Sequence, residues 1–371
     1  MVGRRAQIPP DKSLKLLSRL LLQPGDALSS SATRRAELNN EIVKLHRSEF
    51  DDALELANQN HVVVRAMERF VDAMREVGDA ERAGWAEAAL TLMRARNSAA
   101  LPALAMICAA FERYGYGVAV IKSLDHWPDL GSDLDLYTDA KPAQVLRLMR
   151  RHFCAQIEDR SWGDRLAQKW NFRVPGLREL VEIHMGRLGQ TGEQMEIAAT
   201  LLNRSRRVCV EGFTFCCPAI PDRLMISALQ RMYRHFYFRL CDIVDSGWLA
   251  DRHLIDYRDL RRLAQSAGIW EGVATYMAIV SDYVEGYRGF GLELPQFVRD
   301  AARFGAEKIY FERGFLRIPI VPQSVRLYGS QLAGTLGKGE LRNGARLSLL
   351  PWLATAAAVG QKLTGSDKGI W

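Results

Sequence analysis

Apolar positions fall into two textures along this chain. Between residues 34 and 115 they recur at spacings of three and four, as at Val63, Met67, Phe70 and Met74, the period of an amphipathic helix. Gly78-Asp79 and Asn97-Ser98 are the expected breaks between helices. The texture then changes at Gly117-Val118-Ala119-Val120-Ile121, a short β-branched run that reads as a buried strand. Residues 124–131 contain Pro128 and Asp129 and read as a loop. Residues 133–137 alternate polar and apolar and predict a second strand, 141–153 a helix, 180–185 a third strand and 208–216 a fourth. A helix is expected from Pro221-Asp222 to near His235, with further helices to about Gly289. Beyond residue 290 come Pro295, Pro319, Pro322 and many glycines, without a clean period.

This pattern predicts an α+β protein in five parts. They are a flexible lead-in (1–33), an N-terminal helical region (34–115), a small mixed α/β core (116–218), a C-terminal helical domain (219–290) and a basic tail (291–371) whose structure the pattern leaves undefined. A chain of 371 residues exceeds one typical core, and 48% hydrophobic with 25% charged residues is the make-up of a folded protein rather than a disordered one.

Charge adds one feature. Of the net +7, nearly all comes from residues 301–371, where ten Lys/Arg face four Asp/Glu. Such a tail suits an acidic partner, nucleic acid or an anionic membrane surface. The six cysteines include no C-x-x-C pair, so neither a zinc knuckle nor a disulfide framework is indicated, and reduced thiols in a cytoplasmic protein are expected. The early leucine run at 16–22 is interrupted by Arg19 and is too short for a signal sequence. No apolar run reaches the roughly 18–20 residues of a membrane span. The longest, 347–360, contains Pro351 and is of a length to lie on a membrane rather than cross it.

The candidate chemistry lies in Gly131-Ser132-Asp133-Leu134-Asp135-Leu136. Side chains alternate along a strand, so Asp133 and Asp135 share a face, about 6–7 Å apart, and suit one or two hard divalent cations. Ten residues before Asp133, Lys122-Ser123 ends the first predicted strand; on a later strand Glu182 and His184 also share a face. A third carboxylate completes what two-metal phosphoryl transfer needs, as a further ligand or as acceptor of the attacking hydroxyl's proton. Ser123, Gly131 and Ser132 can offer backbone N–H groups and hydroxyls to phosphate, and Lys122 a charge. His184 is placed to orient Glu182 or to meet the acceptor. His235, Arg239 and Asp242, at spacings of four and three on a predicted helix, share a face and can line the same cleft. Asp125-His126 resembles half of a metal-dependent phosphohydrolase motif, but no other histidine stands at a helical spacing that completes it.

These pieces together resemble the nucleotidyltransferase superfamily that includes DNA polymerase β, and within it a group of uncharacterised bacterial nucleotidyltransferases. The resemblance rests on Val120-Ile121-Lys122-Ser123, on Ser132-Asp133-Leu134-Asp135-Leu136, on Val181-Glu182-Ile183-His184 and on His235, Arg239-Leu240 and Asp242, over roughly residues 35–290. It implies a nucleotidyltransferase core sheet between two helical regions. It implies a Mg²⁺ (or Mn²⁺) site of Asp133, Asp135 and Glu182, an NTP such as ATP held near Lys122, Ser123, Gly131, Ser132 and His184, and transfer of an NMP to an acceptor hydroxyl with release of pyrophosphate. Ser123 stands where the group has glycine, and Asp129-Leu130-Gly131 where it often has arginine; Lys122 or Arg187 is then the expected substitute for that charge. The acceptor is open among small molecule, sugar, peptide, protein and RNA. Two alternatives compete. One is an inactive nucleotide-binding or interaction module. The other is a D-x-D glycosyltransferase, which needs a nucleotide-binding β/α unit where this chain has predicted helices.

Overall fold

Asp129 is far in sequence from the helices it organises. In this computed structural model, which describes residues 11–22, 29–189, 191–337, 339, 341–352 and 356, its carboxylate caps a helix that begins 66 residues earlier. Five helices come first: α1 (Lys12–Leu21), α2 (Ser29–Ile42), α3 (Arg47–Gln59), α4 (Val63–Glu76) and α5 (Ala80–Arg113). Val62, before α4, brings no capping side chain. Instead the Val64 N–H donates to Asp129 Oδ1 at 2.6 Å, and the Arg65 guanidinium pairs with Asp129 Oδ2 at 2.9 Å. The loop that precedes the acidic strand is thereby tied to the helical layer.

Two expectations in this region change. The lead-in is not wholly irregular, because α1 buries Leu14, Leu16, Leu17 and Leu20, and its Ser18 hydroxyl meets the Tyr283 hydroxyl at 2.7 Å. Residues 1–10 and 23–28 lie outside the described residues. The break at Gly78-Asp79 is present, with Asp79 capping α5 through the Arg82 N–H at 3.0 Å. The one at Asn97-Ser98 is absent. Asn97 is buried inside α5 and donates its side-chain amide to the Pro128 carbonyl at 2.6 Å, a tertiary partner that satisfies a residue otherwise prone to end helices.

The sheet follows: β1 (Val118–Val120), β2 (Asp133–Thr138), α6 (Pro142–Phe153), β3 (Gln156–Ile157), α7 (Trp162–Ala167), β4 (Lys169–Arg173) and β5 (Leu180–Met185). Its order is β1-β2-β5-β4-β3. β2 and β5 are parallel and the other pairs antiparallel. Leu134, Leu136, Phe172, Val181 and Ile183 pack with Ala100, Leu101, Leu104, Ile107 and Phe111 of α5. The alternation that buries these side chains turns Asp133, Asp135, Glu182 and His184 to the opposite face.

After α8 (Met195–Arg204), the expected fourth strand is instead a separate hairpin of β6 (Arg206–Val210) and β7 (Phe213–Cys217). Glu211 and Gly212 have φ of 47° and 81°, so both turn residues adopt the left-handed region that a tight two-residue hairpin loop uses, and one run becomes two strands. The chain then continues through α9 (Ile220–Ala228), a wide helical turn (Leu229–His235), β8 (Tyr237–Phe238), α10 (Leu240–Asp251), α11 (Tyr257–Ser266), α12 (Trp270–Arg288) and α13 (Gln296–Ala301). β9 (Tyr310–Glu312), β10 (Phe315–Arg317), α14 (Val325–Gly337) and α15 (Leu341–Leu347) complete it. β10 pairs with β8, so backbone hydrogen bonds join the segments on either side of residue 290. Residues 353–355 and 357–371, with half of the apolar run that ends at Gly360, lie outside the described residues. No described helix is long and apolar enough to cross a membrane.

Candidate functional site

Strand register brings the carboxylates together. Asp135 stands opposite Glu182 on the neighbouring parallel strand, Tyr137 opposite His184, and Asp133 opposite Leu180. Asp133 therefore shares the face but lies one pair nearer the start of β2. On this face the ligand atoms of Asp135, Glu182 and His184 lie within 4.8 Å of one another, while Asp133 of the expected trio is not part of that group.

Two lysines thread this cluster. The Lys122 ammonium pairs with Asp135 and, at 3.3 Å, with Glu182 Oε1. Lys169 on β4 lies 2.9 Å from Glu182 Oε2 and 2.8 Å from Asp164. His184 Nε2 is 2.9 Å from Glu182 Oε1, while Nδ1 is buried without a hydrogen-bond partner among the described residues. Burial pushes Asp135 up to about 8, outweighing the pull of Lys122 and helped by Glu182. Burial acts on Glu182 too, but Lys169 and Lys122 hold it well below the ordinary carboxylate range. Asp133 is raised by burial and by the Glu182 charge. His184 falls to about 4, chiefly through burial, and is neutral at pH 7. Two adjacent carboxylates are thus driven apart in proton affinity.

Lys122 reaches this cluster from a strained backbone. It has φ 61° and ψ −56°, and the Ser123 N–H donates to the Ile121 carbonyl at 2.6 Å, which is a γ-turn with a positive-φ centre. The unusual conformation falls on Lys122, so Ser123 does not need to be glycine. Ser123 spends its polar groups inside the protein. Its hydroxyl accepts from the Asp135 N–H at 2.7 Å and lies 3.2 Å from the Asp133 carbonyl, stitching the turn to β2 rather than facing a phosphate. The Gly131 carbonyl accepts from Arg96 at 2.9 Å, and a Cβ there would come within 3.0 Å of the His61 ring. The Ser132 hydroxyl donates to Asp133 Oδ2 at 3.2 Å.

Lys122, Ser123, Gly131, Ser132, Asp133, Asp135 and Glu182 all line one cavity of about 230 Å³. Lys169 of β4 lines it too, and the other wall carries Arg231, Arg234 and Arg239, with Gln230, His235, Tyr237, His61 and His126. His235 and Arg239 do not share a helix, as the spacing suggests. Phe236 has φ 56° and ends the wide turn, and β8 intervenes before α10. Arg231 is only 2% exposed and pairs with Asp242 at 2.7 Å, and Asp242 also accepts from the Arg239 N–H at 2.7 Å. Arg231 Nη1 and the Nε atoms of Arg234 and Arg239 have no hydrogen-bond partner among the described residues. Burial and the neighbouring arginines keep His235 well below its usual range, and burial with Arg239 lowers His61 to about 2; both rings are neutral. Buried guanidinium nitrogens left without partners among the described residues suit an anion.

Arg187 is not brought to this cavity. Its guanidinium donates to the Gly192 carbonyl at 2.9 Å, near Arg342 and Arg346. The sequence reading missed Lys169, Arg231 and Arg234. The alternation Lys169-Trp170-Asn171-Phe172-Arg173 is a legible strand signal that would have found the first. Nothing singles out two arginines among 50 Lys/Arg. His126, set aside in sequence, joins the cavity wall to α10: Nδ1 pairs with Asp245, and Nε2 lies 3.7 Å from the sulfur of buried Cys241.

Comparison with protein-family models, with curated proteins and with solved structures found no match.

Proposed function

We propose that this protein is a metal-dependent nucleotidyltransferase that moves an NMP from an NTP to an acceptor hydroxyl and releases pyrophosphate. The observation that carries the reading is the pairing of two walls: Asp135 beside Glu182 on parallel strands, with Asp133 on the same face, opposite Arg231, Arg234 and Arg239. The Asp135 and Glu182 carboxylates lie within 4.8 Å of each other and of His184, with Asp133 one pair away on the same face, and these three acids would hold Mg²⁺ or Mn²⁺. The ion would neutralise the triphosphate and polarise the reacting phosphorus. The arginine wall binds and orients the triphosphate and stabilises the departing pyrophosphate, supplying the charge missing before Asp133. A cavity of about 230 Å³ is smaller than the roughly 300–1,000 Å³ typical of small-molecule sites, so it takes the triphosphate and leaves the base outside. Glu182, held low by Lys169 and Lys122, is a weak proton acceptor and acts as an anchor. A bound ion would hold Asp135 ionised against the effect of burial, and a carboxylate of this floor would take the acceptor's proton.

One observation favours the non-catalytic alternative. Lys122 and Lys169 already neutralise Asp135 and Glu182, as in a module that binds nucleotide without turning it over. Incubation with each α-³²P-labelled NTP, Mg²⁺ or Mn²⁺ and a cell extract separates the two, beside Asp133→Ala/Asp135→Ala. Label transferred by the native chain and lost in the double variant supports the enzyme. Nucleotide bound by calorimetry without transfer supports the module, and no binding of metal or nucleotide sinks both.

A further inference from the structure

Helix α14 is turned inside out. Toward the protein it presents Ser324, Gln331 and Thr335, all buried, beside Leu327. Gln331 is wholly buried with neither amide atom hydrogen-bonded among the described residues. Outward, Val325 is 52% and Leu336 46% exposed. At about 100° per residue, Val325, Gly329, Leu332 and Leu336 fall within one narrow arc. Past α14, Leu341 (71%), Leu349 and Trp352 (76%) are exposed too. A helix that buries polar side chains and shows apolar ones to solvent has the amphipathicity expected of a covered surface.

The charge around this face selects what covers it. From residue 313 to 352 there are six Lys/Arg and a single acid, Glu340. Arg326 and Arg342 are exposed beside the apolar stripe. A second copy of the same surface would set like charges against each other. A convex helix with aliphatic side chains, a terminal tryptophan and a basic rim suits a planar interface that is apolar inside and negative at its surface. We infer that the outer face of α14, with Leu341 and Trp352, docks the protein on an anionic lipid bilayer, lying on it without crossing.

Vesicle co-sedimentation of the full chain tests this. Phosphatidylcholine vesicles are compared with vesicles that also contain phosphatidylglycerol. Binding is expected on the anionic vesicles, about tenfold or more weaker on the neutral ones, and weakened by Val325→Glu/Leu336→Glu and by Arg326→Glu/Arg342→Glu. All four side chains are exposed, and the circular dichroism of both variants should match the native chain. No binding to anionic vesicles overturns the inference, as does binding that the apolar variant leaves unchanged. A doubled mass in light scattering, lost in the apolar variant, would assign the face to a second copy instead.

Discussion

The two walls of the cavity are built in opposite ways. The acidic floor lies on a regular parallel pair, β2 and β5, whose pleat and register decide where every side chain points. The basic roof lies on irregular backbone: a wide turn, a left-handed Phe236 and a two-residue strand. The floor is held by its sheet and its charges are balanced by Lys122 and Lys169. The roof is held by its charges, because the buried Arg231–Asp242 pair and the Arg239 N–H on Asp242 join the turn to α10. A regular element can thus carry catalytic groups as passengers, whereas an irregular one has to use such groups as structure.

That contrast can be broken in order of effect. Arg231→Met should be the most damaging to folding. It leaves Asp242 a buried charge short of its partner and should cost about 3–5 kcal/mol in urea unfolding; a variant as stable as the native chain would show that the roof stands without its arginine. On the floor, Asp135→Asn keeps the shape and removes a charge. It should lower NMP transfer by about 10²–10³-fold in kcat, with the unfolding midpoint little changed; a large loss of stability would mean that the floor, too, depends on its charges. Arg234 has no ion pair among the described residues. Arg234→Ala should weaken pyrophosphate binding by about 10–100-fold in calorimetry, and an unchanged affinity would remove the roof from phosphate recognition.

The smallest effect lies where the walls meet. Burial acts to lower the His126 pKa, but Cys241 and Asp245 hold it well above the usual histidine value. Its pairing therefore stabilises the fold fully below about pH 6.5, and that contribution fades as pH rises through the higher folded-state value. Unfolding midpoints measured from about pH 6 to pH 9 should decline in the native chain by the equivalent of about 1 kcal/mol, and the decline should shrink in His126→Gln. Parallel declines in both proteins would show that His126 is not the titrating group.

The same contrast explains what was legible in the sequence. The floor strands appear almost as read, with 133–137 found as Asp133–Thr138 and 180–185 found as Leu180–Met185, because alternation is a local signal. The expected shared faces of Asp133 with Asp135 and of Glu182 with His184 follow from it. Their pairing across strands depends on register, which one strand's sequence does not contain. On the roof, the helix expected from Pro221-Asp222 to near His235 is present, but the single helix expected to carry His235, Arg239 and Asp242 is broken by the left-handed Phe236 and by β8. The Asn97 contact with Pro128 is equally non-local, as is the return of β10 to β8 about eighty residues later. Two-residue strands carry no period to detect.

The γ-turn at Lys122 sets the terms on which the proposed divalent cation would enter. The turn delivers an ammonium group between Asp135 and Glu182, so the folded chain carries its own counter-ion. Folding then has no need of a divalent cation, and chelators should leave the protein intact. An arriving ion competes with a tethered cation instead of relieving bare repulsion, which makes its hold weaker and its exchange faster than the count of carboxylates suggests. Lys122, once displaced, is free to swing toward the arginine wall and the triphosphate. Ion and nucleotide would then help each other in, with a single side chain changing allegiance between them.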